Sequence, residues 1–326
     1  MVDLENGVFM EQVEDLVERK RWPGLRVMLG LLEAADISAI LSELPEDRLP
    51  LLYRLLPKEL AAEVFVEMEP EEQELLIKAF SDTELKEVLE ELYVDDTVDI
   101  IEEMPASVVK RILQHADPET RKSVNEILKY PEDSAGSIMT TEFVDLKRDM
   151  TVEDAFKRIR RTGVDKETIN ICYVTDTSRH LLGLVSIRTL LLADEEDIIE
   201  DIMETNVIFA TTLEDKEDVA QDLGKYDFLA MPVVDKEGRL VGIVTIDDAI
   251  DVMEEEATED FELMAAITPT DKPYLRTGVM ETVRSRLPWL MLLMLSATLS
   301  GLVINRSEES LPTYSVLLRF IPLLTG

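Results

Sequence analysis

Acidic side chains are concentrated in one helix-length segment, residues 247–262, and the nearest basic residues on either side are Arg239 and Lys272. Its acids are Asp247, Asp248, Asp251, Glu254, Glu255, Glu256, Glu259, Asp260 and Glu262. Apolar residues recur at helical spacing, which predicts an amphipathic helix with acidic flanks; they are Ile250, Met253, Ala257, Phe261 and Met264. Because like charges three or four residues apart repel each other, such a helix requires cations nearby. A solvated acidic face is the alternative interpretation.

The whole chain is strongly acidic, with 69 acidic against 33 basic residues and a formal net charge of -36. This balance repels phosphate backbones and attracts small cations, so nucleic acid is not expected as a partner. His115, His180 and the single Cys172 provide no zinc or copper constellation. We find no Gly-rich phosphate loop and no nucleophile and base pair, so we predict no catalytic residues and no enzyme activity. A lone cysteine fits a reducing, cytosolic setting.

The first 130 residues carry regular helix-start signals, namely prolines at Pro45, Pro57, Pro70, Pro105 and Pro118. Ser81-Asp82 and Asp95-Asp96 continue the spacing, about a dozen residues, as cap-type pairs. Because proline is preorganised for a first helical turn, the pattern predicts a series of short helices. Apolar residues recur within them at spacings of three and four residues, which favours a stacked, solenoid-like array. A plain helical bundle is the alternative.

The middle of the chain contains an internal repeat with an offset of 59 residues. The matching positions are Val174 and Val233, Asp176 and Asp235, Leu182-Gly183 and Val241-Gly242, Val185-Ser186 and Val244-Thr245, and Ile187 and Ile246. Each copy is predicted to contain a strand, a turn, a second strand and a helix. This order resembles the CBS domain, and the two copies together, from Ile138 to Met253, resemble a CBS pair.

The resemblance to CBS domains implies a nucleotide site. In that family a Ser or Thr followed three residues later by Asp binds a nucleotide ribose. The second copy keeps this motif as Thr245 and Asp248. The first copy departs from it, because Ser186 is followed by Thr189.

Residues 287–305 carry no charge and match the ~20 residues that a membrane-spanning helix requires. Trp289 lies near one end, and the basic residues Arg284 and Arg286 precede it, as expected on a cytoplasmic side. We predict a transmembrane helix here, with a buried core helix as the alternative. A second apolar run at 311–326 predicts that the chain is the front portion of a larger membrane protein. The N-terminus has neither region of a cleavable signal.

The order of these elements resembles the MgtE family of magnesium channels and transporters over essentially the whole chain. The motifs that carry the resemblance are TTEF at 140–143, YDF at 226–228 followed by MPVVD, GRLVGIVTIDDAIDV, EEEATED, RLPWL and FIPLLTG. The resemblance implies a multidomain α and α+β protein, with a superhelix-like N-terminal helical domain, a tandem CBS pair, a long acidic connecting helix and a truncated membrane domain. The implied boundaries are 1–130 for the helical domain, 138–199 and 200–253 for the CBS domains, 247–283 for the connecting (plug) helix region, 287–305 for the first transmembrane helix and 311–326 for the start of a second membrane segment.

Position by position, the resemblance implies regulatory magnesium ligands in four parts of the chain. They are Asp95 and Asp99 in the helical domain, the Gly136 carbonyl in the linker, Asp215, Glu217, Gly224 and Asp227 in the second CBS domain, and Asp248, Asp251, Glu256, Glu259 and Asp260 along the plug helix. Mg²⁺ takes oxygen ligands, keeps several waters and commonly touches one or two carboxylates, so acids scattered across an interface suit it. Taken singly, each acid is also compatible with a solvated surface charge.

The function that the resemblance implies is magnesium transport, with this chain mainly the cytosolic part that senses magnesium and regulates the gate. Mg²⁺ is then both the regulatory and the transported ion, and ATP is a further ligand at Thr245 and Asp248. The family also implies a homodimer in the cell inner or plasma membrane, with cytoplasmic N-terminal domains. The alternative is a CBS-pair protein that senses adenosine nucleotides, which explains the repeat but not the apolar end. An enzyme with a CBS regulatory module is a third class.

Overall fold

The computed structural model describes residues 8–264 and 279–306. The chain divides into two compact units, Met1–Ile250 and Asp251–Gly326. The predicted second membrane segment at 311–326 lies outside the described residues, as does part of the predicted connecting region.

The N-terminal part of the first unit consists of short helices, as predicted. They are α1 (Val8–Glu18), α2 (Trp22–Leu29), α3 (Ala34–Ser42), α4 (Leu49–Tyr53), α5 (Lys58–Val66), α6 (Pro70–Ala79), α7 (Asp82–Leu89), α8 (Val94–Glu103), α9 (Ala106–His115) and α10 (Pro118–Ile127). Pro70 and Pro118 are the first residues of their helices, where their missing amide hydrogen costs nothing. Ser81 begins α7 with a capping box, because its hydroxyl accepts from the Glu84 amide and the Glu84 carboxylate accepts from the Ser81 amide.

The prediction that Asp95 and Asp96 are cap residues is wrong by two positions. Helix α8 starts at Val94, with Tyr93 as an N-cap that makes no side-chain capping bond. The Asp96 carboxylate instead accepts a hydrogen bond from the Tyr93 amide, one turn back. Both aspartates therefore lie inside the first turn, where the positive end of the helix dipole stabilises their negative charges.

An aromatic cluster fills the centre of the helical region. The rings of Tyr53 and Phe80 lie 5.3 Å apart, and Phe65 lies 6.3 Å from both. All three side chains are buried, and the Tyr53 hydroxyl donates to the Ala61 carbonyl at 2.7 Å. Such a core holds the short helices together, because helices of this length have little stability alone.

The two sequence repeats form two equivalent three-stranded sheets. The strands are β1 (Asp145–Lys147), β2 (Ile171–Thr175) and β3 (Leu181–Ser186) in the first repeat, and β4 (Ala210–Thr211), β5 (Ala230–Val234) and β6 (Leu240–Thr245) in the second. In each sheet the first strand runs parallel to the second, and the second runs antiparallel to the third. The helices are α11 (Val152–Thr162), α12 (Ile187–Leu192) and α13 (Ile199–Ile202) in the first repeat, and α14 (Lys216–Tyr226) in the second.

The linker that leads into each repeat pairs with the last strand of the other repeat. Thr140 exchanges two backbone hydrogen bonds with Ile243 of β6, and Glu204 exchanges two with Leu184 of β3, all at 2.8–3.0 Å. The repeated glycine makes room for this crossing. A Cβ at Gly183 would lie 2.6 Å from the Glu204 carbonyl oxygen, and a Cβ at Gly242 in the second repeat would lie 2.7 Å from the Thr140 carbonyl oxygen.

Helix α15 (Ile246–Met264) follows β6, and helix α16 (Val279–Arg306) covers the predicted span at 287–305. The predicted apolar stripe of α15 is not its buried face, since Ile250 and Met253 are about half exposed while Ala249 and Val252 are buried. Among the residues described, no helix combines the length and apolarity needed to cross a membrane. The transmembrane helix therefore stays a prediction.

Candidate metal centre

Six carboxylates from three parts of the first unit come together where the helical region meets the repeats. We call this group the acidic junction; its members are Asp95 and Asp96 of α8, Glu142 and Glu167 of the first repeat, and Asp247 and Asp248 at the start of α15. Two of the predicted metal ligands that are distant in sequence, Asp95 and Asp248, thus face the same group of charges.

Asp95 is the most deeply buried member of the junction, with 5% of its surface exposed. Its Oδ1 is buried and has no hydrogen-bond partner within the described part of the chain. Burial raises the pKa of this carboxyl well above its usual range, and the charge of Asp248 raises it further. An unsatisfied buried carboxylate is costly, so the position favours either a proton or a bound cation.

Asp248 is half-buried at the first turn of α15. Burial raises the pKa of its carboxyl, as does the charge of Asp247, while hydrogen bonds from Thr245 oppose the shift. Both the amide and the hydroxyl of Thr245 donate to Asp248 Oδ2. The predicted ribose-binding pair therefore also closes the first turn of its own helix.

Glu167 and Asp96 extend the junction into the first repeat and back to α8. Burial, followed by the charges of Asp247 and other junction members, raises the pKa of Glu167 to about 8. Burial also raises the pKa of Asp96 to about 6, against the hydrogen bond from the Tyr93 amide. Glu167 Oε2 is a second buried oxygen with no hydrogen-bond partner among the described residues.

The remaining predicted ligand of the helical region, Asp99, lies one turn beyond Asp95 and is exposed. Its charge nevertheless contributes to raising the pKa of Asp95. It therefore belongs to the rim of the junction and not to its buried centre.

The predicted ligands of the second repeat lie on and beside α14, and local structure accounts for several of them. Asp215 is the N-cap and accepts from the Glu217 amide at 2.9 Å. Asp227 is the C-cap, with a left-handed backbone at φ 54°, a conformation that Asp tolerates better than most residues. Gly224 is exposed, and a Cβ there would meet nothing within 4 Å.

Gly136 lies beside the start of the same helix. Its amide donates to the Thr212 carbonyl at 3.1 Å, and the neighbouring Ser134 forms a bridge with Asp215. A Cβ at Gly136 would lie 2.5 Å from Tyr130 Cγ, so close packing alone requires glycine here. Gly136 and Asp215 thus form a second grouping of predicted ligands.

The other plug-helix residues belong to the second compact unit. Asp251, Glu259 and Asp260 are exposed along α15, and Glu256 is half-buried. Their role as ligands remains a prediction.

In the first repeat, the departure from the ribose motif has a structural consequence. Ser186 is the N-cap of α12, and its Oγ accepts from the Thr189 amide at 3.0 Å. The two hydroxyl oxygens lie 2.9 Å apart. The position therefore offers two hydroxyls where the motif has a carboxylate.

Sequence reasoning missed four members of the junction as metal-site residues, namely Asp96, Glu142, Glu167 and Asp247. Glu142 lies within the TTEF motif, but it was not assigned a role. Glu167 is a single acid in a loop between the 3₁₀ turn at Gly163–Asp165 and β2, with no pattern around it. Only the fold brings these residues together.

The junction suits a hard cation that retains water. In the part of the chain that the structure describes, no group of three or more His, Cys, Asp and Glu side chains is arranged to hold a metal ion directly. Mg²⁺ does not need such a group, because it commonly takes one or two carboxylates and keeps several waters. The unpartnered oxygens of Asp95 and Glu167 fit this donor chemistry.

Comparisons with known proteins first show the class of protein to which the chain is similar. A profile of the MgtE intracellular N domain matches residues 32–133, and the CBS domain profile matches residues 135–196 and 199–255. The chain thus combines an MgtE-type N domain with a CBS pair. It is similar to the crystal structure of the cytosolic domain of the Mg²⁺ channel MgtE in complex with ATP, with a TM-score of 0.71 and 38% identity over 74% of this chain and 99% of that one.

Full-length relatives then give the family. The chain is 38% identical over 306 residues to magnesium transporter MgtE of Thermus thermophilus, covering 93% of this chain and 68% of the relative. It is 34% identical to magnesium transporter MgtE of Bacillus subtilis, covering 92% and 66%. The chain belongs to the MgtE family. It spans about two thirds of the length of these two relatives.

Proposed function

We propose that this chain is the magnesium-sensing, gate-regulating portion of an MgtE-type magnesium transporter or channel. The observation that carries the proposal is the burial of Asp95, with an unpartnered oxygen, within the electrostatic influence of Asp248 from the other end of the compact unit. The family relationship supports the same ion, since the relatives are named magnesium transporters.

The sensing follows from the opposing charges at the junction. When the carboxylates are ionised and no cation is bound, their repulsion opposes contact between the helical region and the CBS pair. A bound divalent cation supplies positive charge there and removes that repulsion. Because this site exists only when the two parts meet, magnesium shifts the equilibrium toward the compact arrangement.

The domain assignment that goes with this proposal is the predicted one, with the helical domain at 1–130, CBS domains at 138–199 and 200–253, and the plug region at 247–283. We further propose that residues 287–305 form the first membrane helix of a multi-pass protein with cytoplasmic N-terminal domains. The uncharged run and the exposed apolar side chains of α16, Leu290 and Leu295 among them, support this. The active protein is proposed to be a homodimer.

ATP is proposed as a second ligand, bound by the second repeat through Thr245 and Asp248. Support comes from the similar MgtE cytosolic domain, whose crystal structure is described as a complex with ATP. Since Asp248 also belongs to the acidic junction, nucleotide and magnesium would meet at one residue.

The test is a magnesium titration of the full chain in detergent, with hydrogen exchange and thermal unfolding as readouts. We expect exchange at α8 and at the start of α15 to slow together, and the melting temperature to rise, because bound ligand stabilises the compact state by mass action. The double variant Asp95→Asn with Asp99→Asn should weaken both responses, and the plug variant Glu256→Gln with Glu259→Gln tests the predicted ligands of the second unit.

Sodium chloride at matched ionic strength is the control for simple screening. An equal response to sodium would reject a specific magnesium site. Unchanged titration of the Asp95 and Asp99 variant would reject the residue assignment while leaving the family membership intact.

A further inference from the structure

The start of α8 is completed by a side chain from another domain. The four first amides of a helix lack partners within it, and a side chain near the helix start usually provides one. Tyr93 at the N-cap provides none. Instead, Glu142 Oε2 accepts a hydrogen bond from the Val94 amide, the first of the helix, at 3.1 Å.

Glu142 is held in place by the first repeat. Its own carbonyl accepts from the Glu167 amide at 3.0 Å, and its amide donates to Thr140 Oγ1 at 3.3 Å. Thr140 is fully buried and is paired with β6. The capping carboxylate is therefore fixed to the CBS pair, while the helix that it caps belongs to the helical region.

The capped helix carries the buried aspartate of the junction. Asp95 follows Val94 directly, and the Asp96 carboxylate takes the Tyr93 amide. With Glu142 on the Val94 amide, the two amides at the helix start are bonded in the docked arrangement. If the domains part, the Val94 bond is lost and the residue before Asp95 frays.

We propose that Glu142 is a positioning residue of the metal-sensing junction, whose carboxylate caps α8 across the domain boundary and thereby fixes Asp95 for cation binding. This inference rests on the proposed function. It makes docking and local order of the ligand helix one event, because α8 has a complete first turn only when the CBS pair is in contact with it.

Two variants of Glu142 separate its hydrogen bond from its charge. Glu142→Gln and Glu142→Ala remove the same negative charge from the junction, but only glutamine keeps an acceptor oxygen at the same distance. Any difference between them therefore reports the cap. Glu153→Ala, an exposed acid on α11, is the control for a change of the same type elsewhere.

The readout is amide hydrogen exchange at Val94 in the full chain, at saturating magnesium chloride and in chelator. At saturating magnesium we expect exchange in Glu142→Ala to be roughly fivefold faster than in the parent, the size expected for loss of one capping bond. Glu142→Gln should stay within about twofold of the parent, as should Glu153→Ala, since neither loses the acceptor. The magnesium midpoint should lie higher in Glu142→Ala than in the charge-matched Glu142→Gln.

Equal protection of Val94 in the alanine and glutamine variants would overturn the inference, because the acceptor would then have no effect. A purely structural role of Glu142 would shift thermal stability in both variants without separating their magnesium midpoints, which would also overturn it. Failure of the proposed function looks different. The parent would show no magnesium-dependent exchange at α8, while the contrast between alanine and glutamine at Val94 would still decide whether the cap exists.

Discussion

Replacing Asp95 by asparagine should stabilise the protein in the absence of magnesium, against the usual cost of altering a buried polar residue. Asparagine has nearly the shape of aspartate and no charge. In the parent, Asp95 is buried among the charges of Asp248, Asp96, Glu167 and Asp99. The protein must either keep the carboxylate ionised beside them or protonate it at neutral pH, and asparagine avoids both costs.

The less costly of the two alternatives sets the magnitude. Two unit charges about 8 Å apart at an effective dielectric of about 20 repel by roughly 2 kcal/mol. Protonating a carboxyl instead costs about 1.4 kcal/mol for each pH unit above its ordinary pKa, which is roughly 5 kcal/mol at pH 7.5, so repulsion is the smaller cost. We therefore expect a gain of about 2 kcal/mol in chelator at pH 7.5, which for a domain of this size raises the melting temperature by roughly 4–8 °C.

Magnesium should narrow the difference in stability between the two proteins. The parent gains stability by mass action, about 2.7 kcal/mol at one hundred times the dissociation constant. The asparagine variant lacks the ligand charge and should lose at least half of that response. The assay is thermal unfolding of the full chain in chelator and across a magnesium titration at constant ionic strength.

Asp149→Asn is the matched control, because it removes the same charge from an exposed position in the turn after β1. It should change neither the melting temperature in chelator nor the magnesium response. If Asp95→Asn destabilises the protein in chelator and still responds fully to magnesium, the burial of Asp95 is ordinary packing and the electrostatic reasoning fails.

Three further predictions concern pH, packing and capping. The pKa of Glu167 is raised to about 8 in the folded protein, so its proton stabilises the docked state at low pH, and this stabilisation is lost as the pH rises through 8. Magnesium should therefore bind more tightly at pH 8 than at pH 6 and should release protons on binding. Calorimetry in two buffers of different ionisation enthalpy measures that release. Gly136→Ala should lower the free energy of unfolding by about 1–3 kcal/mol through its clash with Tyr130, whereas Gly224→Ala, with open space around it, should not. Thermal unfolding of these two variants distinguishes a packing effect from the loss of a ligand. Ser81→Ala should cost about 1 kcal/mol by removing one half of a capping box, and a denaturant titration in which the midpoint stays unchanged would contradict it.

The repeat architecture could be predicted from sequence because the same residue pattern occurs in two copies. Strand β2 and strand β5 begin at Ile171 and Ala230, with the same offset of 59 residues that the sequence comparison gives. The short helices were also predictable, since Pro70, Pro118 and Ser81 act locally at helix starts. The start of α8 was not, because its cap comes from Glu142 in another domain.

The candidate site was only partly predictable for the same physical reason. Asp95 and Asp248 were found through the family resemblance, which assigns ligands one position at a time. Glu142 and Glu167 become part of the site through tertiary contact, and neither has a local pattern that separates it from a solvated acid. The apolar stripe of α15 shows a different limit, because helical periodicity identifies an apolar face but not whether a neighbouring element covers it.

The exchange of linkers between the two repeats also bears on the folding of the chain. Neither repeat completes its own sheet edge, since β3 takes its neighbour from Glu204 and β6 from Thr140. A single copy with this design could pair its open edge only by associating with another copy, and joining two copies in one chain makes that association intramolecular. The two repeats should therefore unfold in one cooperative step. A destabilising substitution in the first repeat should then also cause loss of structure in the second.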